Sequence, residues 1–305
     1  MTVPPVLVAM CTYDGAAHLP EQLASLAAQT HRNWRLWVSD DGSGDGTRDI
    51  LGRFGQARDV TVVEGPRRGA AANFLHLACH PDLPVGGDVH LAFSDQDDVW
   101  RPDKIARGLD RLRATEDGRP ALYAARVTIT DAAGRPTGRT PPPPEGLGLR
   151  DVFAWNPAGG HTTILNPAAV ALIRAAGPVA VDHHDWWFPL LVAACGGRLE
   201  IEAAEVLSYR QHEANVVGAA SGLRARLTRL GGLLGGDYGR WVRDNARALL
   251  TSGAPLTEEA RRIAEDVVAD GGAMSRVALL RRHGLRRRTG LETAALYAAA
   301  ALGRV

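Results

Sequence analysis

The chain has 305 residues, of which 45% are apolar and 23% charged, with a formal net charge of +1. That is long enough to bury a large core in one large domain or two small ones, and the composition excludes a disordered, fibrous or membrane-embedded chain. The charge is uneven: residues 222–305 hold 15 Arg against 8 Asp and Glu, a balance of +7, so residues 1–221 carry −6, which argues against nucleic acid as a partner of the front part.

Val6-Leu7-Val8-Ala9-Met10 is a continuous apolar run of strand length, as expected of a strand buried on both faces, and Cys11-Thr12-Tyr13-Asp14-Gly15 follows as a polar turn. Leu19, Leu23, Leu26 and Ala27 recur at helical spacing and predict a helix over 19–28. A second strand is expected over 34–39, ending in Asp40-Asp41-Gly42-Ser43, and a second helix over 47–54 with Asp45 or Thr47 as its cap. Residues 60–63 read as a third strand, 70–79 as a third helix and 89–93 as a fourth strand. This alternation predicts a mostly parallel sheet with helices on both faces, whose ligands bind beyond the carboxyl ends of the strands. Three polar clusters sit at such ends: Thr12-Tyr13-Asp14, Asp40-Asp41-Gly42-Ser43 and Asp95-Gln96-Asp97-Asp98. Converging on one rim, they read as a binding site.

Asp95, Asp97 and Asp98 put three carboxylates within four residues, and Pro102 then opens a helix with Asp103 in its first turn. Like charges that close are costly unless a cation or donors neutralise them. Hard oxygen ligands on a loop suit Mg²⁺ or Mn²⁺ held together with substrate phosphates; a solvated acidic turn is the plainer alternative. No G-x-G-x-x-G follows the first strand and no G-x-x-x-x-G-K-[ST] occurs, which weighs against dinucleotide-binding and P-loop folds.

Residues 121–130 are strand-like and close on the turn Asp131-Ala132-Ala133-Gly134. Residues 141–144, all Pro, form a stiff extended linker that either crosses the open face of the sheet or divides two halves. Residues 159–166 resume strand character after Gly159 and Gly160, glycines that suit either close approach to a ligand or an ordinary turn. In Asp182-His183-His184-Asp185-Trp186-Trp187-Phe188, Asp185 is a cap candidate for a helix to about residue 194. Trp186 and Trp187 are either core or an acceptor platform, because sugar rings stack their C–H faces on indole. His183 and His184 have no third partner nearby, a poor zinc pattern. A strand over 201–209 ends in Tyr209-Arg210-Gln211-His212, where Arg210 and His212 are placed to reach a diphosphate.

Beyond residue 221, helices are expected over 237–252, 257–270, 273–283 and 291–302, with Gly253, Gly271 and Gly284 as stops. The runs Leu279-Leu280-Arg281-Arg282 and Arg286-Arg287-Arg288 suit an anionic membrane surface, a dimer contact or the solvated face of a helical appendage. Basic residues are all Arg except Lys104, which base composition alone would account for. Cys11, Cys79 and Cys195 are far apart in apolar contexts and read as buried thiols of a reducing compartment. No signal peptide and no membrane span is visible, so a cytoplasmic location is expected, with peripheral contact at the inner face of the membrane through the basic tail.

Taken together, Cys11-Thr12-Tyr13-Asp14-Gly15, residues 23–30, Ser39-Asp40-Asp41-Gly42-Ser43, Ser94-Asp95-Gln96-Asp97-Asp98-Val99-Trp100, His184-Asp185-Trp186-Trp187 and Tyr209-Arg210-Gln211-His212 with Asn215 resemble the family 2 glycosyltransferases, most closely their bacterial rhamnosyltransferase-like branch. The resemblance covers about residues 4–220. It implies an α/β chain of the GT-A fold, a Rossmann-like mixed sheet flanked by helices, over residues 1–221, with a helical extension over 222–305. It also implies that Thr12, Tyr13 and one of Asp40 or Asp41 hold the nucleobase and ribose of a nucleotide-diphospho-sugar, with Asp14, Gln96 and Arg210 beside them. Asp95 and Asp97, with Asp98 a close rival, would form the D-x-D element for ribose and a divalent metal, Mg²⁺ or Mn²⁺, and His212 would help hold the metal. Asp185 matches the inverting general base. Gly160, His161, His184, Trp186 and Trp187 are the candidate acceptor contacts, although His184 stands where many relatives have Glu. The Q-x-x-R-W element of processive synthases is absent, so one sugar per turnover is expected.

The activity this implies is transfer of a sugar from a dTDP- or UDP-sugar, dTDP-rhamnose being the first donor to test, to a hydroxyl of a glycan, a lipid-linked intermediate or a small-molecule acceptor. Two alternatives stand beside it. A nucleotidyltransferase would want a Gly-rich, basic loop after the first strand, which Cys11-Thr12-Tyr13-Asp14 is not. A non-catalytic nucleotide-sugar binder would go with a degraded carboxylate set, and here the set is complete.

Overall fold

The computed structural model describes residues 3–113, 117–211, 236–269 and 272–304. The first half runs β1 (Val6–Thr12), α1 (Leu19–Ala27), β2 (Trp34–Asp40), α2 (Thr47–Gly55), β3 (Val60–Glu64), α3 (Ala70–Ala78), β4 (His90–Ser94), β5 (Val99–Trp100) and α4 (Lys104–Arg113). The second half runs β6 (Ala121–Thr130), β7 (Pro136–Arg139), α5 (Leu149–Ala154), a 3-10 turn (Gly160–Thr162), β8 (Ile164–Leu165), α6 (Pro167–Ala176), α7 (His184–Ala194) and β9 (Arg198–Arg210). Four helices follow: α8 (Asp237–Thr251), α9 (Glu258–Val268), α10 (Ala273–Arg282) and α11 (Gly290–Ala301).

One mixed sheet joins the strands in the order β3-β2-β1-β4-β8-β6-β9-β5, with β7 hairpinned onto β6. Strands β1 to β4 pair in parallel; β8 enters antiparallel to both β4 and β6, and β9 runs parallel to β6. The period of two along β1 divides the core. Leu7, Ala9 and Cys11 face one hydrophobic cluster with α3, α5, α6 and α7, whereas Val6, Val8 and Met10 face the other with α1, α2 and α4. All seven residues of β1 are buried, which is why it reads as an unbroken apolar run rather than an alternating one.

Helix ends follow local chemistry. Asn166 caps α6 by accepting from the Ala169 amide at 2.9 Å, with Pro167 at the first helical position, and the same carboxamide accepts from the Ala121 amide to lock β6 alongside. Thr257 and Thr289 cap α9 and α11 in the same manner. Two expected caps are corrected. The residue before α2 is Gly46, and Asp45 instead accepts from the amide and hydroxyl of Thr47. His183 precedes α7, and Asp185 lies within its first turn without capping it. The stretch 159–166 is shorter as a strand than expected: its first part winds into the 3-10 turn and only Ile164–Leu165 pairs in the sheet.

The prolines 141–144 lead from β7 to α5 within one globule, because α5 packs on α7 in the main core. The expected boundary at 221 falls outside the described residues. Tyr238, Val242, Ala246 and Leu249 of α8 belong to the same hydrophobic cluster as Trp186 and Trp187, so the C-terminal helices share the core of the sheet. Burial raises the pKa of all three cysteine thiols; Cys11 is fully buried, Cys79 and Cys195 only partly, and all three are free.

Candidate active site

Parallel register brings the ends of β1, β2 and β4 level: Thr12 pairs with Asp40, and Met10 with Ser94. The loops beyond them are knitted together by side chains accepting from backbone amides. Asp14 accepts from the Gly44 amide at 2.7 Å, Ser43 Oγ from the Asp14 amide at 3.0 Å, Thr47 Oγ1 from the Gly15 amide at 2.9 Å, and Asp45 from the Ala16 amide at 3.0 Å. Gln96 grips the Tyr13 peptide at both groups, accepting from its N–H and donating to its C=O, each at 2.9 Å. Gly15 leaves room for that grip, since a Cβ there would lie 2.2 Å from Gln96 Oε1. The Tyr13 ring is thereby held on a fixed backbone yet is 60% exposed at the rim.

Asp40 and Asp41 are buried and fully engaged. Asp40 accepts from Thr12 Oγ1 at 2.8 Å, Ser43 Oγ at 2.6 Å, the Ser43 amide at 3.0 Å and Arg48 Nε at 2.9 Å; Arg48 in turn forks onto Glu64. Burial alone would raise the Asp40 pKa, but these donors outweigh it and hold the carboxyl below its ordinary range. Asp41 accepts from the amides of Arg67 and Gly69 at 2.6 and 2.9 Å, fixing the loop after β3.

The acidic loop after β4 sits over the 3-10 turn. His161 Nδ1 lies 3.4 Å from Asp95 Oδ2 and 3.9 Å from Asp98 Oδ2, and one ligand atom from each of the three residues falls within 4.8 Å of the others. Asp98 is completely buried, and neither of its oxygens has a hydrogen-bond partner among the described residues. Burial drives its pKa up to about 8. Burial would lower the pKa of His161, but the Asp98 and Asp95 carboxylates raise it to about 9, and His161 in return holds Asp95 below the ordinary value against burial. A buried carboxylate with two orphaned oxygens, beside a second carboxylate and an imidazole, is a donor set that fits a divalent cation such as Mn²⁺ or Mg²⁺. Of the residues expected at the metal, Asp98 belongs to this cluster and the side chain of Asp97 does not, while Asp95 and His161 join it among the described residues. Asp97 lends its backbone carbonyl to Arg210 Nε at 3.4 Å, and His212 lies outside the described residues.

The same turn carries the loop onto α7. A Cβ on Gly160 would lie 2.8 Å from His184 Nε2 and 3.1 Å from Asp185 Cβ, so glycine here serves close packing against the start of α7. Asp185 is partly exposed and makes no hydrogen bond to a described residue. His184 is stacked on Phe74 with ring centres 4.1 Å apart; burial lowers its pKa and keeps it neutral. Trp186 and Trp187 are core rather than an acceptor platform: they are 4% and 0% exposed, and Trp186 Nε1 donates to the Val152 carbonyl at 2.6 Å. Arg210 is also drawn inward. Its guanidinium pairs with Glu21 and donates to the Ala132 carbonyl at 2.8 Å, so it braces the end of β9 instead of reaching outward.

Two residues escaped the sequence reading. Gln22, buried on α1, has its carboxamide oriented to accept from Ser94 Oγ at 2.6 Å and Trp100 Nε1 at 3.1 Å and to donate to the Asp98 carbonyl at 2.7 Å, buckling the acidic loop from below. Lys104 is wholly buried and donates to the His161 carbonyl at 2.6 Å. A polar residue at a core position of a helical repeat is the only sequence sign for Gln22; for Lys104 it is its being the sole lysine.

The arrangement of the sheet is that of the GT-A glycosyltransferases. The chain is similar in fold to the crystal structure of S. aureus TarS 1-349, with a TM-score of 0.58 at 16% identity over 98% of this chain and 79% of that one. It is also similar to the mannosyltransferase PcManGT from Pyrobaculum calidifontis in complex with GDP-Man and Mn²⁺, with a TM-score of 0.54 at 18% identity over the whole of this chain and 88% of that one. In sequence, residues 7–144 match the model of glycosyl transferase family 2. The dTDP-rhamnosyl transferase RfbG of Shigella flexneri is 27% identical over 79% of this chain and 84% of its own length. The beta-1,3-glucosyltransferase WfgD of Escherichia coli, described as using UDP-Glc, is 30% identical over 33% of this chain and 38% of its own length. Residues 7–144 are thus similar to glycosyl transferase family 2, and most of the chain is similar to a relative that transfers rhamnose from a dTDP-sugar by its name.

Proposed function

We propose that this chain is a family 2 glycosyltransferase, metal-dependent and inverting, and that it moves rhamnose from dTDP-rhamnose to an acceptor hydroxyl. The observation that carries the reading is the pairing of two chemistries across one glycine turn. On one side lies the Asp95, Asp98 and His161 cluster; on the other is Asp185, a carboxylate without a hydrogen-bond partner among the described residues. The name of the Shigella relative supports the donor.

Asp95, Asp98 and His161 would hold Mn²⁺ or Mg²⁺, which neutralises negative charge gathering on a departing nucleoside diphosphate. The exposed Tyr13 ring, fixed by Gln96, would stack on the base, and Thr12 with Asp40 and Asp41 would shape the loops that receive base and ribose. Asp185 would take the acceptor proton as its oxygen attacks the anomeric carbon from the face opposite the leaving group, a single displacement with inversion. His184, neutral and packed on Phe74, keeps a positive charge away from that base. The last two helices would rest on an anionic surface, since Met274, Leu291 and Leu302 are 82%, 78% and 67% exposed there among arginines, and no helix among the described residues is long and apolar enough to cross a membrane.

The test is the Asp185→Asn variant, assayed alongside a thermal-shift panel of dTDP, UDP, GDP and CDP with and without Mn²⁺. Turnover should fall by about 10²- to 10⁴-fold, the usual worth of a general base. The stabilisation by dTDP with Mn²⁺ should persist, at roughly 2.7 kcal/mol for ligand at a hundred times its Kd. Retained turnover removes Asp185 as the base. A metal-dependent shift with UDP in place of dTDP reassigns the donor, and no shift with any nucleotide leaves a non-catalytic binder of something else.

A further inference from the structure

Beside the acidic loop the sheet carries a second charged cluster, of the opposite sign. One rung crosses β5, β9, β6 and β7 through Val99, Ser208, Thr128 and Arg139. Arg126 and Thr128 alternate with Val127 and Ile129, which point into the core with α1, α2 and α4, so the first two stand on the other face. Three arginines gather there on Glu205. Arg139 Nε lies 2.9 Å from its Oε1, Arg101 Nη2 lies 3.5 Å from its Oε2, and Arg126 is its partner in register. The Thr128 hydroxyl donates to Glu205 at 2.6 Å, and this donor, followed by Arg139, Arg101 and Arg126, holds the carboxyl below its ordinary range. Among the described residues Glu205 is the only carboxylate paired with any of the three, and the nearby Asp131 is engaged by Arg135 at 2.8 Å. Three guanidinium groups against one carboxylate leave an excess of positive charge, which is costly to gather unless an anion balances it.

These arginines keep most of their donors free of the fold. The side chains of Arg101 and Arg139 are 51% and 67% exposed, and Arg126 engages the Thr140 carbonyl through Nε alone, at 2.7 Å. Their position ties them to the site. Arg101 stands three residues after Asp98. The amide of Ala125, next to Arg126, donates to Thr162 Oγ1 at 3.3 Å, so the 3-10 turn that carries His161 and backs onto Asp185 adjoins the cluster. We propose that Arg101, Arg126 and Arg139 form a subsite for an anionic group of the acceptor, a phosphate or carboxylate carried by the glycan that receives the sugar. The inference rests on the transferase reading above and adds the charge of its acceptor. Guanidinium forks suit both anions, because each presents paired N–H donors to two oxygens at once, and Glu205 with Thr128 fixes two of the forks in place.

The test is calorimetric titration of the full chain at low ionic strength with a glycerol phosphate hexamer, a glucuronate-bearing hexasaccharide and neutral maltohexaose, each with and without saturating dTDP and Mn²⁺. An anionic probe should bind and the neutral one should not; whichever anion binds more tightly names the group. Arg126→Gln and Arg139→Gln should each weaken that binding about tenfold, the scale of one lost charge-assisted contact. Glu205→Gln should act in the opposite direction and tighten it, since it keeps an oxygen for the Thr128 hydroxyl and removes the opposing charge. Arginines that serve only to neutralise Glu205 give another pattern, in which no substitution moves anion binding. If Glu205→Gln does not fold, Arg139→Gln decides, because an exposed ion pair contributes little to stability. Binding of neither anionic probe, or equal affinity in the wild type and the folded variants, overturns the proposal and leaves the transferase reading intact if dTDP with Mn²⁺ still stabilises the chain. Displacement of the probe by dTDP assigns the arginines to the donor diphosphate and overturns the acceptor role. Anion binding by a chain that no nucleotide stabilises overturns that role together with the transferase reading.

Discussion

Asp40 shows how a residue expected to touch ligand can act through structure instead. It is wholly buried and surrounded by donors from Thr12, Ser43 and Arg48, so its carboxylate organises the ends of β1 and β2 before any nucleotide arrives. Because its folded pKa lies below the ordinary value of 3.8, its stabilisation is present in full above that value and is lost as pH falls through the folded one. Melting temperature measured from pH 7 down to pH 3 should therefore drop most steeply below about pH 4. Asp40→Asn puts an amide where an acceptor is needed; it should cost about 1–3 kcal/mol at pH 7 and flatten the acid limb of the curve. An Asn variant as stable as the wild type at pH 7 would show that water satisfies these donors equally well.

The acidic loop was legible at this scale because three carboxylates adjoin in sequence and their repulsion demands a partner. The third member of the cluster was not, since His161 reaches Asp98 only by way of a 3-10 turn about sixty residues further on, and no local pattern links them. The tryptophans misled for the opposite reason: adjacent aromatics beside a carboxylate look like a binding platform, yet both side chains of that pair are covered once α5 and α8 pack on α7.

Among elements, the clearest ones lie within a residue or two of expectation, from β1 through α3 and again from α8 to α11, because each carries a helical period or an apolar run of strand length. What could not be read was the middle of the sheet. Strands β5 and β8 have two residues each and no period, yet β8 is the splice between the parallel half and β6. The packing around that splice yields a prediction. Gly108 of α4 lies against it so closely that a Cβ would come 2.6 Å from Ile164 Cδ1 and 3.0 Å from Tyr123 Cδ1. Tyr123 cannot easily yield, being fully buried with its hydroxyl bonded to Glu202 at 2.9 Å. Gly108→Ala gains up to about 1 kcal/mol of helix propensity and so partly hides the clash, whereas Gly108→Val exposes it. The Val variant should lose about 1–3 kcal/mol in urea unfolding through a lower midpoint at constant slope. A midpoint equal to wild type would mean that α4 stands further from the sheet than described.

At the scale of the whole molecule, the basic C-terminal part divides into arginines that bind the protein and a surface that does not. Arg286 pairs with Asp151 at 3.1 Å, Arg287 donates to the Ala154 carbonyl at 3.3 Å, and Arg282 pairs with Asp266 at 3.1 Å. Much of the Arg-rich run thus fastens the last helices to α5 and α9, a use that charge counting cannot distinguish from membrane binding. Among the described residues of this part, the large apolar side chains left outside are Met274, Leu291 and Leu302, at the ends of α10 and α11. Insertion of each into the headgroup boundary contributes about 0.8 kcal/mol per buried CH₂, and each nearby arginine about 1 kcal/mol on an anionic leaflet. Binding of this kind is weak, needs both terms and is screened by salt over about 10 Å at 0.1 M. The full chain should therefore co-sediment with vesicles containing phosphatidylserine at low ionic strength, release at 0.5 M salt, and ignore neutral phosphatidylcholine. The triple change Met274→Glu, Leu291→Glu, Leu302→Glu should abolish sedimentation without altering the melting temperature, because all three side chains are solvated in the free protein. Sedimentation unaffected by the triple change would assign the interaction to another face. A wild-type dimer in light scattering that the triple change converts to a monomer would make the same surface an interface between copies of the chain.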